Sequence, residues 1–424
     1  MPLRILVLAD VCNPEWPSLP IVGYKYAKAL SEHAEVTVVT QIRNQPNLEK
    51  HGLGKARVVY LDTEHVAAPL ARLANFIRGG QGKGWTLQMA MDYPSYVWFE
   101  RMAWQRFGPD IKSGRFDLVH RVTPMSPTLP SYMAKVCPVP FVIGPLNGNL
   151  PWPPQFKAEL AREREWMSFV RGAYKWLPFS RSTYSRSSGI LAAFQHTIRD
   201  LDPSCLDRTI NFPEVGIDPE LFSQGERSFD GPLEILYAGR LVPYKLPEVV
   251  VRAFASSPLL RQHRLTIVGD GPERPRIESL INELDVGQHI TLLGQRPQPE
   301  VASLMKRAHI FAFPSIRELG AGVVIEAMAS GMACVVVDYG GPADLVADDR
   351  GVKVPLGTLD ELVTSFQRSL ERLVSDPEEV QRIGQAANRH ALNTYSWSQK
   401  ARKTVEIYDW ILGGRVDPRP EFWS

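Results

Sequence analysis

Residues 311–337, FAFPSIRELGAGVVIEAMASGMACVVV, read in turn as a strand, a loop, a helix and a second strand. Residues 309–313 are short and apolar and stop at Pro314, as a buried strand does. Residues 323–329 are good helix formers, and Gly331 stands where a helix-ending glycine stands. Residues 333–337 are a second apolar run, closed by Asp338, Gly340 and Gly341. Two apolar strands joined by a helix make a βαβ unit, so the chain reads as α/β with a parallel sheet.

Two carboxylates bracket the loop of that unit. Glu318 lies at the carboxyl end of a strand, where open α/β sheets bind ligands. Glu326 lies eight residues further on, in the first turns of the helix. Gly320 and Gly322 between them let the backbone approach a ligand closely. A carboxylate accepts hydrogen bonds from sugar hydroxyls, and the amides at a helix N-terminus favour phosphate. A site with both features suits a nucleotide sugar. On residue types alone, a solvated loop residue and a surface helix residue account for the same pair.

The run Pro314-Ser315-Ile316-Arg317-Glu318-Leu319-Gly320, followed by Glu326-Ala327-Met328-Ala329-Ser330-Gly331, resembles the Glu-x7-Glu signature of retaining, family 4-like glycosyltransferases of the GT-B fold. Residues 335–346, with their Gly340-Gly341 pair, are similar to the same family. The resemblance implies two Rossmann-like domains with parallel sheets facing across a cleft. It places the transferred sugar on Glu318 and the nucleotide ribose on Glu326. It is close from residue 216 to about 411 and loose before that.

The chain has 424 residues, 44% hydrophobic and 22% charged, with a formal net charge of +2. That is enough for two or three globular domains and too even a charge balance for a dedicated nucleic-acid binder. Cys12, Cys137, Cys205 and Cys334 are too scattered for a zinc site or a disulfide framework. The N-terminal apolar run is too short for a signal peptide, and no stretch reaches the ~18 apolar residues of a membrane span. A cytoplasmic protein is expected, with peripheral membrane contact through its N-terminal domain left open.

Taken in order, residues 3–9, a helical run over 21–33 and residues 35–40 open the chain as another βαβ unit, without the Gly-x-Gly-x-x-Gly of a nicotinamide or flavin site. Residues 79–84, GGQGKG, approach a P-loop but lack its Ser or Thr after Lys83 and read as a turn. His120 ends a strand over 116–122, and a further strand over 141–143 leads into a loop over 144–148. In residues 155–179 aromatic and basic residues are interleaved. That pattern fits either a membrane-surface helix or a core helix with a solvated face, and Glu159, Glu163 and Glu165 dilute its charge. Asp200-Leu201-Asp202 matches a metal-binding Asp-x-Asp, but it precedes Pro203 with no other ligands nearby and reads as a turn. The polar, Gly-containing stretch 216–232 is the best domain boundary.

A second βα series starts at residue 233. Arg240 follows its first strand and Lys245 follows five residues later, two cations suited to a diphosphate. Gly269 opens a turn after the next strand. By resemblance, Arg240 and Lys245 bind the diphosphate, and Gly269, Gly320, Gly322 and Val323 line the nucleotide with Glu326. His120 falls at a position that touches the donor sugar, while Gly144 and Asn147 fall on the acceptor side. The implied domains are 1–215, 216–395 and a final helical segment, 396–424, crossing back to the first.

The implied reaction is transfer of a sugar from a nucleoside diphosphate sugar, UDP- favoured over GDP-, to a hydroxyl acceptor that is a glycan, a lipid-linked glycan or a small molecule. Retention of configuration is expected, without metal or other cofactor. The expected catalytic group is Glu318, His120, Arg240 and Lys245. Two rivals stay open: a nucleotide-sugar epimerase of the same fold, and a catalytically silent sugar-nucleotide-binding module.

Overall fold

The computed structural model describes residues 2–65, 85–163 and 175–422, with 85–92 as backbone only. The turn read over 79–84 and much of the basic-aromatic segment 155–179 lie outside the described residues.

The chain divides into two compact units. The first comprises Met1–Asn149, Arg164–Glu214 and Trp397–Ser424, and the second Leu150–Glu163 and Val215–Ser396. The reading of 1–215 as one uninterrupted domain is therefore corrected at 150–163. Those residues are tied into the second unit, where Arg162 pairs with Glu273 at 2.9 Å and the Tyr339 hydroxyl donates to the Pro151 carbonyl at 2.9 Å.

The first unit holds a seven-stranded sheet made of β1 (Arg4–Ala9), β2 (Glu35–Gln41), β3 (Arg57–Leu61), β4 (Leu118–Thr123), β5 (Phe141–Leu146), β6 (Gly189–Ala192) and β7 (Thr209–Asn211). The strand order is β3-β2-β1-β4-β5-β6-β7 and every pair is parallel. β1, β5 and β6 are mostly apolar, β4 carries the buried polar side chains of His120, Arg121 and Thr123, and all four are almost wholly buried, as strands covered on both faces are. The last helix, Trp397–Leu412, packs against the helix Leu19–Leu30, and the Tyr26 and Thr404 hydroxyls meet at 2.7 Å.

The second unit holds six strands, β8 (Glu234–Ala238), β9 (Arg264–Val268), β10 (Ile290–Gly294), β11 (Ile310–Phe313), β12 (Ala333–Val337) and β13 (Gly351–Val354). Their order is β10-β9-β8-β11-β12-β13, again all parallel. The opening stretch of sequence supplies β11, the helix Gly322–Ala329 and β12, with Ile310 opposite Ala333 and Phe313 opposite Val336. Val324, Ile325, Ala327 and Met328 bury the inner face of that helix. Gly331, at φ +75°, ends it.

Arg227 fixes the far ends of two helices. Its guanidinium donates to the Lys306 carbonyl at 3.1 Å and to the Met305 carbonyl at 2.6 Å, closing the helix Gln298–Arg307. It also donates to the carbonyls of Ser330 and Gly331 behind Gly322–Ala329. Burial lowers its pKa to about 10. Each unit is a doubly wound, Rossmann-like α/β layer. No helix among the described residues is long and apolar enough to cross a membrane.

Candidate functional site

In the second unit the strand order turns back on itself between β8 and β11. The carboxyl ends of two such strands diverge into a crevice, the usual ligand position in an open α/β sheet. The segment after β8 carries Arg240 and Lys245, and the segment after β11 carries Glu318. Tyr244 ties them together, because its carbonyl accepts from the Ile316 amide at 3.0 Å.

Lys245 and Glu318 form a partly buried ion pair, Nζ to Oε2 at 3.3 Å, with 11% and 18% of their side chains exposed. The Ser315 hydroxyl donates to Glu318 Oε2 at 3.2 Å. The Lys245 ammonium also lies 5.2 Å from the centre of the Phe313 ring. Arg240 is exposed at the rim. Both cations lie where an anion would enter, and Glu318 holds one of them in place.

Glu326 is half-buried in the first turns of Gly322–Ala329, where Gln298 donates to its Oε1 at 3.1 Å. Gly320, Gly322 and Val323 lie half-buried between the two glutamates. Ala321 takes φ +47°, so the chain turns sharply into the helix. At Gly322 a Cβ would come within 2.9 Å of the Val215 side chain. Gly269 carries the tightest approach, with φ +136° and a Cβ that would meet the Gly239 carbonyl oxygen at 1.9 Å. Its amide donates to the Gly294 carbonyl at 2.9 Å, so the loops after β8, β9 and β10 meet there.

The structure corrects the placement of His120 on the donor sugar. The ring has no exposed surface in the first unit. Nε2 is 2.7 Å from the Gly144 carbonyl, so it carries the proton and donates. Nδ1 therefore accepts from the Tyr408 hydroxyl at 2.5 Å. Burial pushes the imidazole pKa down to about 3, with the Arg121 cation adding to the shift and the Gly144 bond opposing it. The ring is a neutral, fully partnered core group.

Gly144 is corrected with it. Instead of opening a loop it lies inside β5, buried, at φ +118°, where a Cβ would come within 2.1 Å of the Leu191 carbonyl oxygen. Its glycine is required by strand packing, and it walls no surface. Asn147 is half-buried just beyond β5, its amide donating to Glu214 at 2.6 Å and its carbonyl accepting from His196 at 3.1 Å. Around the Asp-x-Asp, Asp200 accepts from Asn149 at 2.6 Å and Asp202 caps the Ser204 amide at 2.9 Å.

Sequence reasoning missed Ser315 and Gln298. Gln298 follows the β10 end as Arg240 follows the β8 end, so the same carboxyl-end logic would have found it.

Residues 219–390 match the family described as Glycosyl transferases group 1. That match lies within the second unit. A relative of the group 1 domain, D-inositol 3-phosphate glycosyltransferase of Stackebrandtia nassauensis, is 31% identical over 223 residues, 48% of this chain and 49% of that protein. The chain spans about half the length of the first curated relatives it matches. Among solved structures, sucrose-phosphate synthase from Thermosynechococcus elongatus superposes with a TM-score of 0.67 at 19% identity, covering 97% of this chain and 100% of that one. The Anabaena HepE protein in complex with UDP-glucose superposes at 0.57 and 15% identity, covering 95% and 99%. The fold is GT-B, two Rossmann-like units carrying parallel sheets, with the group 1 match inside the second.

Proposed function

We propose that the protein transfers a sugar from a nucleoside diphosphate sugar, UDP- in preference to GDP-, to a hydroxyl acceptor, with retention of anomeric configuration. The observation that carries this reading is the convergence of Arg240, Lys245 and Glu318 at the β8/β11 switch point, with Glu326 at the start of the next helix. The UDP-glucose bound by the HepE protein supports a donor of that class.

The anomeric C–O bond to the diphosphate breaks, and its electron pair leaves with the phosphate oxygen. Arg240, a fork of donors, and Lys245, a point charge, offset the negative charge that builds there. In the unliganded pair Glu318 neutralises Lys245, so an arriving diphosphate shares the ammonium and leaves the carboxylate to accept from sugar hydroxyls. The acceptor oxygen bonds to the anomeric carbon from the face the phosphate leaves, and its proton passes to the departing phosphate oxygen. Glu326 accepts from the ribose hydroxyls, oriented by Gln298. The acceptor is assigned to the first unit, at the carboxyl ends of β4 and β5 near Asn147. No metal enters this scheme, because two cationic side chains supply the charge.

Calorimetry with UDP, GDP, ADP and their sugars in metal-free buffer, on the wild type and Glu326→Ala, tests the donor site. Micromolar binding of one nucleotide, weakened in the variant, is expected. Absence of binding by every member of the panel overturns the reading.

A further inference from the structure

Residues 150–163 leave the first unit's chain, cross onto the second and return. On the second unit they touch four of its carboxyl-end loops. The Arg317 guanidinium lies over the Trp152 ring, 5.1 Å from its centre. Tyr244, in the segment after β8, meets the same ring edge-on at 6.3 Å. Pro151 accepts from the Tyr339 hydroxyl after β12, at 2.9 Å. Leu150 is buried so close to Gly340 that a Cβ there would meet it at 2.8 Å. The helix Lys157–Glu163 packs on the turn Pro243–Lys245. Arg162 pins the far end to Glu273 after β9 at 2.9 Å.

We infer that this segment is a strap across the donor site and that Trp152 is its positioning residue, setting the separation of Lys245 from Glu318. The inference deepens the reading of the site given above and rests on it. Tyr244 adjoins Lys245 and Arg317 adjoins Glu318, and one indole is wedged against both neighbours. A rigid ring held between a guanidinium and an aromatic edge has few rotamers and strong preferred geometry, so it fixes two loops at once. A displacement of about 1 Å in such a pair is enough to cost about a hundredfold in rate. Trp152 itself touches no reacting atom in this scheme.

The test uses the full chain, as wild type, Trp152→Ala and Trp152→Phe. Amide hydrogen exchange is followed without ligand, and binding of the nucleotide that the wild type selects is measured by calorimetry. In Trp152→Ala, exchange is expected to quicken in residues 242–246, 315–322 and 339–341, with nucleotide affinity falling about tenfold or more. Trp152→Phe keeps an aromatic wedge and is expected to restore affinity to within about threefold. Unchanged exchange in those loops overturns the strap, and so does unchanged affinity in Trp152→Ala. A loss in Trp152→Phe as large as in Trp152→Ala, with a matching drop in melting temperature, marks general destabilisation and also overturns it. If the wild type binds no nucleotide, the donor-site reading fails by itself, and the exchange measurement still decides whether Trp152 braces the loops.

Discussion

The Lys245 ammonium stands 3.3 Å from the Glu318 carboxylate at the point where the second sheet reverses its strand order. The pair joins two loops and places both signs of charge in one crevice. Removing Lys245 leaves a partly buried carboxylate facing an incoming diphosphate. Lys245→Ala is expected to lower kcat by about a hundredfold or more, the scale of a lost oxyanion donor. It is also expected to cost about 2 kcal/mol in stability, between the values for exposed and buried pairs. The double variant with Glu318→Ala is expected to cost less stability than the sum of the single variants, by denaturant titration.

Nucleotide affinity is expected to separate the two glutamates. Glu326 lies on the helix, bonded to Gln298, and Glu318 lies beside Lys245, the proposed phosphate ligand. Glu326→Ala is expected to weaken UDP about tenfold or more, the loss of a charge-assisted bond pair. Glu318→Ala is expected to change UDP affinity little and to abolish turnover of the sugar. Calorimetry beside a product assay checks both. A glycosyl adduct trapped on Glu318 would instead establish a double displacement.

The second unit was legible because its strands are short apolar runs punctuated by Pro and Gly, and because chemistry at a doubly wound sheet collects at strand ends. That rule singled out Glu318, Arg240 and Lys245, and the structure sets Lys245 beside Glu318 at neighbouring strand ends. His120 and Gly144 obeyed the same rule and were misplaced. A residue near a strand end faces either the crevice or the core, and the sequence around His120 does not say which. Tyr26 and Tyr408, from helices far away in the chain, enclose it. Trp152 was illegible for the same physical reason, since its ring meets Tyr244 and Arg317, far away in the chain, and such contacts leave no periodicity.

His120 makes stability pH-dependent with a defined sign. Its folded pKa is about 3 against about 6.5 unfolded, so the unfolded chain binds more protons between those values. The contribution is present above about pH 6.5 and is lost as pH falls toward about 3. The groups facing the ring are Tyr26, Tyr408 and the Gly144 carbonyl, with the buried Arg121 cation alongside, and none of them supplies a counter-charge. His196 and His390, each lowered by burial to about 4, act in the same direction. Melting temperature is expected to fall steadily from pH 6.5 to pH 4. His120→Gln is expected to be less stable at pH 7, by about 2 kcal/mol, and to lose stability less steeply below it.

In the proposed scheme Arg240 and Lys245 neutralise the leaving group, which predicts a distinct response to chelators. Turnover in EDTA is expected to equal turnover in buffer, and added Mg²⁺ or Mn²⁺ is expected to raise the rate less than about twofold. A rate that collapses in EDTA and returns with either ion would place part of the leaving-group stabilisation on a metal.

Gly269 is where the second unit's loops approach most closely. Alanine there needs a strained left-handed φ and pushes a methyl into the Gly239 carbonyl, which the structure holds 1.9 Å from the Cβ position. The clash is between a Cβ and a backbone carbonyl, so no rotamer relieves it. The Gly239 peptide must move, carrying Arg240 with it. Gly269→Ala is expected to cost about 2 kcal/mol or more in stability and to weaken nucleotide binding. Gly287 supplies the control. A Cβ there meets only Ile281, at the ordinary contact distance of 3.8 Å. Gly287→Ala is expected to stay within about 1 kcal/mol of wild type, with nucleotide affinity unchanged. Equal tolerance at both positions in a melting and calorimetry series would mean that the β8 and β9 loops yield freely, and that Gly269 does not set the place of Arg240.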